Sequence, residues 1–147
     1  PGTEPVALIA GMALALKVWP DDQARRTAHV QQLRDQLQAG LEHRCPPAIL
    51  NGSQDHRLPN TLNVSFPGTD GEALLVALDL EGIACSLGST CASGSMEPAP
   101  ALVAMGLGPD RHQSAVRFSL GVQNTAAEIT EAIDRIARVV NRLRDAS

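Results

Sequence analysis

The first long apolar stretch of the chain runs from Pro5 to Trp19, where nearly every residue is aliphatic or small. It predicts a helix that is buried on most sides and ends at Pro20. From Asp21 to about His43 the pattern changes, because apolar residues recur every three or four positions among charged ones. That spacing predicts an amphipathic surface helix. Its apolar positions are Val30, Leu33, Leu37 and Leu41.

Two segments further along the chain alternate between apolar and polar residues, which is the pattern of a half-buried strand. The first is Thr61–Phe66, and the second is Ala115–Leu120, where Arg117 faces away from the apolar positions. Ile49–Leu50 and Ile83–Ser86 are shorter and also predict strands. The apolar faces of the two long strands carry Leu62, Val64, Phe66, Val116, Phe118 and Leu120.

Three more helices follow from start and stop signals. Thr69 and Glu72 predict a capping box that opens a helix through Leu80, which Gly82 closes. Pro98 is placed to begin a short helix that ends at Gly106. Thr125 and Glu128 predict a second capping box. The helix it opens carries apolar residues at a helical spacing, namely Ile129, Ile133, Ile136, Val140 and Leu143.

The alternation of strands and helices predicts an α/β or α+β fold with one small sheet. We expect helices to cover one face of that sheet, and we expect mixed strand directions. A chain of 147 residues is long enough for one domain with a core, so residues 1–147 are predicted to form a single domain.

Composition narrows the classes of function. Hydrophobic residues make up 44% of the chain and the net charge is −4, with arginines scattered among acids. This pattern predicts a folded protein without a direct nucleic-acid partner. The longest apolar stretch is shorter than the ~20 residues that a membrane span needs, so no membrane association is predicted. Three cysteines are too sparse for a disulfide framework, and a reducing, cytoplasmic location is expected.

The segment from Leu87 to Ser95 is built of glycine, serine and other small residues and predicts a mobile surface loop. Within it, Cys91 is a candidate nucleophile, because a thiol reacts only as thiolate and only where a substrate can reach it. The alternative is that Cys91 is an inert small residue. Cys85, inside a predicted strand, is expected to be structural. Cys45 precedes two prolines, and its position is uninformative. The cysteine spacing fits no zinc pattern.

Arg117 is the second candidate, since a planar guanidinium can hold a carboxylate through two hydrogen bonds. Equally, it could be an exposed arginine on an edge strand. Lys17 is the only lysine and lies in the apolar first helix. Chemistry that needs a lysine in an open pocket must therefore find it outside this chain.

Four blocks in register resemble the cysteine desulfurases, within the class V branch of the aminotransferase-like pyridoxal phosphate enzymes. They are Gly2-Thr3-Glu4, the strand 58–66 (LPNTLNVSF), the loop 86–95 (SLGSTCASGS) and the strand 116–121 (VRFSLG). The resemblance covers essentially the whole chain. Leu87 and Thr90 depart from the small or hydroxyl residues usual beside the loop cysteine, which bears on loop rate or partner preference.

The resemblance implies a reaction and a role for each candidate. L-Cysteine would bind to pyridoxal 5'-phosphate, the thiol of Cys91 would attack the substrate sulfur, and alanine would leave a persulfide on the enzyme. Arg117 would hold the substrate carboxylate. Thr3 would reach the cofactor phosphate of the neighbouring subunit in a homodimer. The sulfur would serve iron–sulfur clusters or tRNA thiolation through a scaffold or other acceptor protein, where Cys91 could transiently contact a cluster; no intrinsic metal site is expected.

The resemblance also implies that this is the C-terminal small domain with its linking helix, residues 5–19. The cofactor-binding large domain and its Schiff-base lysine would lie upstream, so the chain is expected to be an inactive piece of a longer protein. Two alternatives remain open at this point. One is a selenocysteine lyase or a class V aminotransferase relative, and the other is a non-catalytic dimerisation or docking module.

Overall fold

The computed structural model describes residues 2–88 and 99–146. The two longest helices are α2 (Gln23–Arg44) and α6 (Ala126–Asp145), and α2 follows a 3-10 turn at Trp19–Asp22. The other helices are α1 (Val6–Val18), α3 (Gly71–Leu80), α4 (Pro100–Ala104) and α5 (Pro109–His112). The strands are β1 (Ile49–Leu50), β2 (Thr61–Ser65) and β3 (Ala115–Ser119).

The three strands form one sheet in the order β1-β2-β3, and both pairings are antiparallel. The α/β class with a small helix-covered sheet is confirmed. The expectation of mixed strand directions is wrong for the described residues. A parallel pair needs a crossover on one side of the sheet, whereas each connection here returns the chain to run against its neighbour.

One face of the sheet carries the main core. Leu62, Val64 and Phe118 pack against the apolar stripes of α2, α3 and α6. These three strand residues are 0–4% exposed. The periodicity of α2 and α6 is confirmed, since eight of the nine predicted positions are buried, namely Val30, Leu33, Leu37, Leu41, Ile129, Ile133, Ile136 and Val140. The ninth, Leu143, is half-buried against the core. At the closest approach of α2 and α6, Gly40 leaves room for Ile133, because an added Cβ would lie 2.3 Å from its Cδ1.

The opposite face is polar along most of its length. Ala115 and Ile49 are its apolar strand residues, and Ala115 packs with Ala99 and Leu102 of the α4 region. The short helix α5, which the sequence did not predict, also lies at this end, where the hydroxyl of Ser65 donates to the carbonyl of Arg111. Among the described residues, the second face is therefore covered at one end and open towards Arg117, whose side chain is half-buried.

The first helix is present but its predicted burial is wrong. None of its residues is buried, and Val6, Leu8 and Leu16 are about 70% exposed, at 71%, 74% and 68%. The prediction took apolar composition for burial, but α1 runs into the 3-10 turn without packing on the core. None of the helices in the described part of the chain is long and apolar enough to span a membrane.

Helix starts show where local sequence signals compete. The predicted capping box at Thr125 and Glu128 is confirmed in both of its hydrogen bonds. At α3 the prediction is wrong, because Asp70 is the N-cap and accepts from the Ala73 N–H, while Thr69 bonds the carbonyl of Phe66. An aspartate one position later is the stronger cap.

The helix predicted from Pro98 begins instead at Pro100, which holds its first turn. Pro98 itself lies outside the described residues. The end predicted for this helix agrees with the structure, since Gly106 has a φ of +73° two residues after α4 ends.

Candidate active site on the polar face of the sheet

Arg117 lies in the middle of β3, on the polar face of the sheet. Its direct cross-strand partner is Asn63 of β2, and Asn63 in turn accepts a backbone hydrogen bond from Asn51. Directly opposed residues in an antiparallel pair share a face, with Cβ atoms about 4.5–5.5 Å apart. Asn51, Asn63 and Arg117 therefore form a polar row across the sheet.

The other edge of β3 is paired with Ser86, which extends the row to four residues. Ser86 N–H donates to the Arg117 carbonyl at 3.0 Å, and Arg117 N–H donates back to Ser86 at 2.6 Å. This isolated bridge corrects the strand predicted for Ile83–Ser86, of which only the last residue pairs. Glycine follows at position 88 with a φ of +88°, and its N–H bonds the Ser86 hydroxyl.

The chain leaves and re-enters the described structure at neighbouring points. An added Cβ on Gly88 would lie 3.6 Å from the Cβ of Ala99. Cys91, the predicted nucleophile, falls between these two residues and outside the described part of the chain, as does the rest of the predicted mobile loop from position 89 to Ser95. Its role remains a prediction.

A hydrogen-bond network with defined donors and acceptors orients the side chains of the polar row. The guanidinium of Arg111 donates to Oδ1 of Asn51 at 2.6 Å and to the Leu50 carbonyl at 2.8 Å. Asn51 Nδ2 then donates to Oδ1 of Asn63 and to the hydroxyl of Ser65, both at 2.7 Å. Because arginine has no acceptor, the orientation of both amides follows from Arg111.

The guanidinium of Arg117, in contrast, has no ion-pair or hydrogen-bond partner among the described residues. Its Nε is buried and unpaired. Arg26, Arg57 and Arg111 also have a buried unpaired nitrogen, but each makes another side-chain hydrogen bond, whereas Arg117 makes none among the described residues. A buried arginine without any partner needs an explanation. A carboxylate brought to this face would supply the missing acceptor and countercharge. That Arg117 holds a substrate carboxylate remains a prediction from the sequence.

Thr3, the third predicted site residue, lies in the exposed stretch before α1. No described contact brings it to Arg117. Its predicted contact is with a neighbouring subunit, so a single chain leaves that role a prediction.

The two described cysteines are poor nucleophiles. Burial raises the pKa of the Cys45 thiol to about 11, against the opposing charges of Arg144 and Arg44. Burial also raises the pKa of Cys85 to about 11, and the negative charge of Asp79 adds to the effect. Both thiols stay protonated at neutral pH, where a thiolate is needed for attack. Cys45 is fully buried in the core, and Cys85 packs against it, as predicted for a structural residue.

Comparisons with known proteins show which family the chain belongs to. The class-V aminotransferase family matches residues 1–131. The chain belongs to that family. Its relatives include cysteine desulfurase IscS of Mannheimia succiniciproducens, 42% identical over 146 residues, and cysteine desulfurase NifS of Azotobacter vinelandii, 39% identical. Each alignment covers 99% of this chain and about a third of the relative, 35% and 36%.

A solved structure of a NifS-like protein from Rickettsia africae matches the fold. It is 30% identical, with a TM-score of 0.80 over 96% of this chain and 36% of that one. The class V resemblance drawn from the four sequence blocks is thereby confirmed, and the chain spans about a third of the length of these class V relatives.

The described residues do not by themselves form a site for pyridoxal phosphate. Lys17 lies exposed on α1. A cavity of about 480 Å³ lies between α6 and residues 82–84, and another of about 290 Å³ lies beside Arg34 and Arg57. Neither is lined by Lys17, Arg117 or Thr3. No cluster of His, Cys, Asp or Glu in residues 2–88 and 99–146 could hold a metal ion.

Sequence reasoning missed the supporting residues Asn51, Asn63, Ser86 and Arg111. One signal was available, because Asn63 and Ser65 occupy the polar phase of an alternating strand, opposite to Leu62 and Val64. The role of Arg111 had no local signal, since it depends on contacts across 60 residues of chain.

Proposed function

We propose that the protein containing this chain is a pyridoxal phosphate-dependent cysteine desulfurase, in which Cys91 accepts sulfur and Arg117 holds the carboxylate of L-cysteine. The observation that carries the proposal is the unpaired Arg117 guanidinium on the open polar face, with its backbone bonded to Ser86. Cys91 follows Ser86 by five residues, a length of chain that spans at most roughly 17 Å. The short tether is compatible with a nucleophile that reaches a substrate held by Arg117.

The overall reaction balances without an external oxidant. The thiolate of Cys91 attacks the sulfur of L-cysteine, and a new S–S bond forms as the C–S bond breaks. The electron pair of the broken bond goes to the β-carbon, which takes a proton and becomes the methyl group of L-alanine. The product on the protein is a persulfide. The cofactor would be held by other parts of the protein together with Thr3 of the adjacent subunit, and it would supply the electron sink that makes the carbon a leaving group.

This chain's own share of the work is positioning and sulfur acceptance. Arg117 orients the substrate by its carboxylate, and binding geometry of this kind contributes to rate by removing orientational freedom. Cys85 and Cys45 stay protonated and do not compete with Cys91. Thr3 contacts the cofactor phosphate of the partner subunit in a homodimer. The persulfide passes to an iron–sulfur scaffold or tRNA-thiolation acceptor in the cytoplasm.

The test is product analysis on the full-length protein with L-cysteine as substrate. We expect equal amounts of L-alanine and released sulfide in the presence of a reductant. Cys91→Ser should abolish sulfide release, and the matched variant Cys85→Ser should retain it. Keto-acid formation, or sulfide release at the normal rate from Cys91→Ser, would contradict the proposal and favour a transaminase or a lyase without a protein nucleophile.

A further inference from the structure

The amide of Asn63 presents an unused hydrogen-bond donor next to Arg117. Its Oδ1 is occupied by Asn51, so its Nδ2 must point away from Asn51. Asn51 cannot reverse this arrangement, because its own Oδ1 is taken by Arg111, which can only donate. The Nδ2 group of Asn63 has no hydrogen-bond partner among the described residues.

The strand pairing determines what this donor faces. The Arg117 backbone bonds outward to Ser86, and the Asn63 carbonyl accepts from Asn51 on the opposite side. Asn63 and Arg117 therefore form a non-hydrogen-bonded pair, the kind in which facing side chains lie closest. Two sets of free donors, one amide and one guanidinium, thus stand side by side on the open part of the polar face.

We infer that Asn63 is a second carboxylate-binding residue, whose Nδ2 donates to the carboxylate that Arg117 holds. The inference rests on the proposed function, since it takes the Arg117 carboxylate as given. A carboxylate has about four lone-pair sites, so a bidentate arginine leaves acceptor capacity for another donor. Asn63 acts as a specificity-determining residue: it favours ligands with a carboxylate over amines that lack one.

The rest of the network gives the inference its rigidity. Ser65 accepts from Asn51 and donates to the Arg111 carbonyl at 2.8 Å, so every polar atom that holds Asn63 is itself held. A donor fixed in this way loses little rotamer freedom when the ligand binds. The network predicts that Asn63 is set before the ligand arrives.

Asn63→Asp separates the donor from the structural role. The substitution keeps an oxygen for Asn51 Nδ2 and replaces the free Nδ2 by an oxygen that cannot donate at neutral pH. Binding is measured by calorimetry on the full-length holoenzyme with two probes, L-alanine, which carries a carboxylate, and ethylamine, which does not. We expect the L-alanine Kd to rise more than about tenfold, with ethylamine affinity unchanged.

Asn63→Ala removes the donor without adding charge, and we expect its L-alanine Kd to rise about three- to tenfold. Ser119→Ala, on the same face two residues from Arg117, is the matched control and should bind both probes normally. If Asn63→Ala binds L-alanine with wild-type affinity, the inference is wrong even if Asn63→Asp is impaired, because the aspartate then acts by charge alone. Thermal unfolding of each variant checks that it is folded. If the alanine variant is not folded, an unchanged L-alanine Kd in a folded Asn63→Asp would still overturn the inference.

Failure of the proposed function has a different signature. If wild-type protein does not prefer L-alanine to ethylamine, the Arg117 carboxylate site is wrong and Asn63 falls with it. A wild-type preference that is unchanged in both Asn63 variants would overturn only the role of Asn63.

Discussion

The two faces of the small sheet differ in what their side chains need. On the helix-covered face, Leu62, Val64 and Phe118 pack against apolar residues of α2, α3 and α6. On the other face, Asn51 and Ser65 are satisfied by Arg111, but Arg117 and one end of Asn63 are not. Within residues 2–88 and 99–146, the first face is complete, whereas the second lacks an acceptor for Arg117 and Asn63. The contrast separates residues kept for stability from residues available for binding.

The largest effect should come from the complete face. Phe66 is fully buried at the end of β2, and Phe66→Ala removes its packing and leaves a cavity, so we expect a loss of about 3–5 kcal/mol in the free energy of unfolding. Urea denaturation followed by circular dichroism measures it. Leu58→Ala is the control, since Leu58 is 67% exposed and should change stability by less than about 0.5 kcal/mol. Equal effects would mean that the core is not where the structure places it.

On the incomplete face the pattern should reverse. Arg117→Ala should lower kcat/KM for L-cysteine by about 100-fold or more, because a carboxylate would lose its bidentate partner. Its unfolding free energy should change by less than about 1 kcal/mol, because no described hydrogen bond or ion pair of the side chain is lost. Arg117→Lys keeps the positive charge but loses the planar guanidinium, so its kcat/KM should lie between those of wild type and Arg117→Ala. Severe destabilisation with normal kcat/KM would make Arg117 a structural residue.

The buried thiol of Cys45, in the core on the helix-covered face, predicts that the free energy of unfolding depends on pH. The pKa of Cys45 is about 11 in the fold, against an ordinary value of 9.0, so the unfolded chain loses this proton first as pH rises. Stability from this group is therefore full below pH 9 and is lost between pH 9 and 11, by about 2 kcal/mol in total. The chain has no tyrosine, but Cys85 has the same raised pKa and adds a slope of the same sign. Denaturation curves across this range measure the slope, and the folded variant Cys45→Ala should show a shallower one.

The smallest effect should come from the capping box at the start of α6. Thr125→Ala removes the side-chain acceptor for the Glu128 N–H and should cost about 1 kcal/mol of unfolding free energy. Thr125→Ser keeps the hydroxyl and should restore most of it. Thermal unfolding of the two variants in parallel makes the comparison. No difference between them would mean that the hydroxyl does not stabilise the helix.

Periodic patterns predicted the complete face well. The stripes of α2 and α6 and the alternation of β2 and β3 depend only on local spacing, and they are confirmed. The exposure of α1 could not be predicted, because an apolar helix is buried only if the chain provides something to cover it. The cap of α3 was misplaced by one residue because Thr69 and Asp70 are both good caps, and the stronger one, Asp70, is used.

The candidate site was predictable in part. Arg117 followed from its phase on an alternating strand and from the resemblance of its block to the cysteine desulfurases. Asn63 and Arg111 did not follow, because their roles arise from a register and a network that join residues 51, 63 and 111. Local sequence carries the first kind of information and not the second.

The proposed reaction requires that the thiol of Cys91 in this chain accept the sulfur atom. Intact mass spectrometry of the full-length protein after incubation with pyridoxal phosphate and L-cysteine, followed by peptide mapping without reductant, tests it most directly. The proposed reaction predicts one added sulfur atom on the peptide that contains Cys91, and none on the peptides that contain Cys45 or Cys85. Sulfur on either of the other two, or alanine formed while Cys91 stays unmodified, would contradict it.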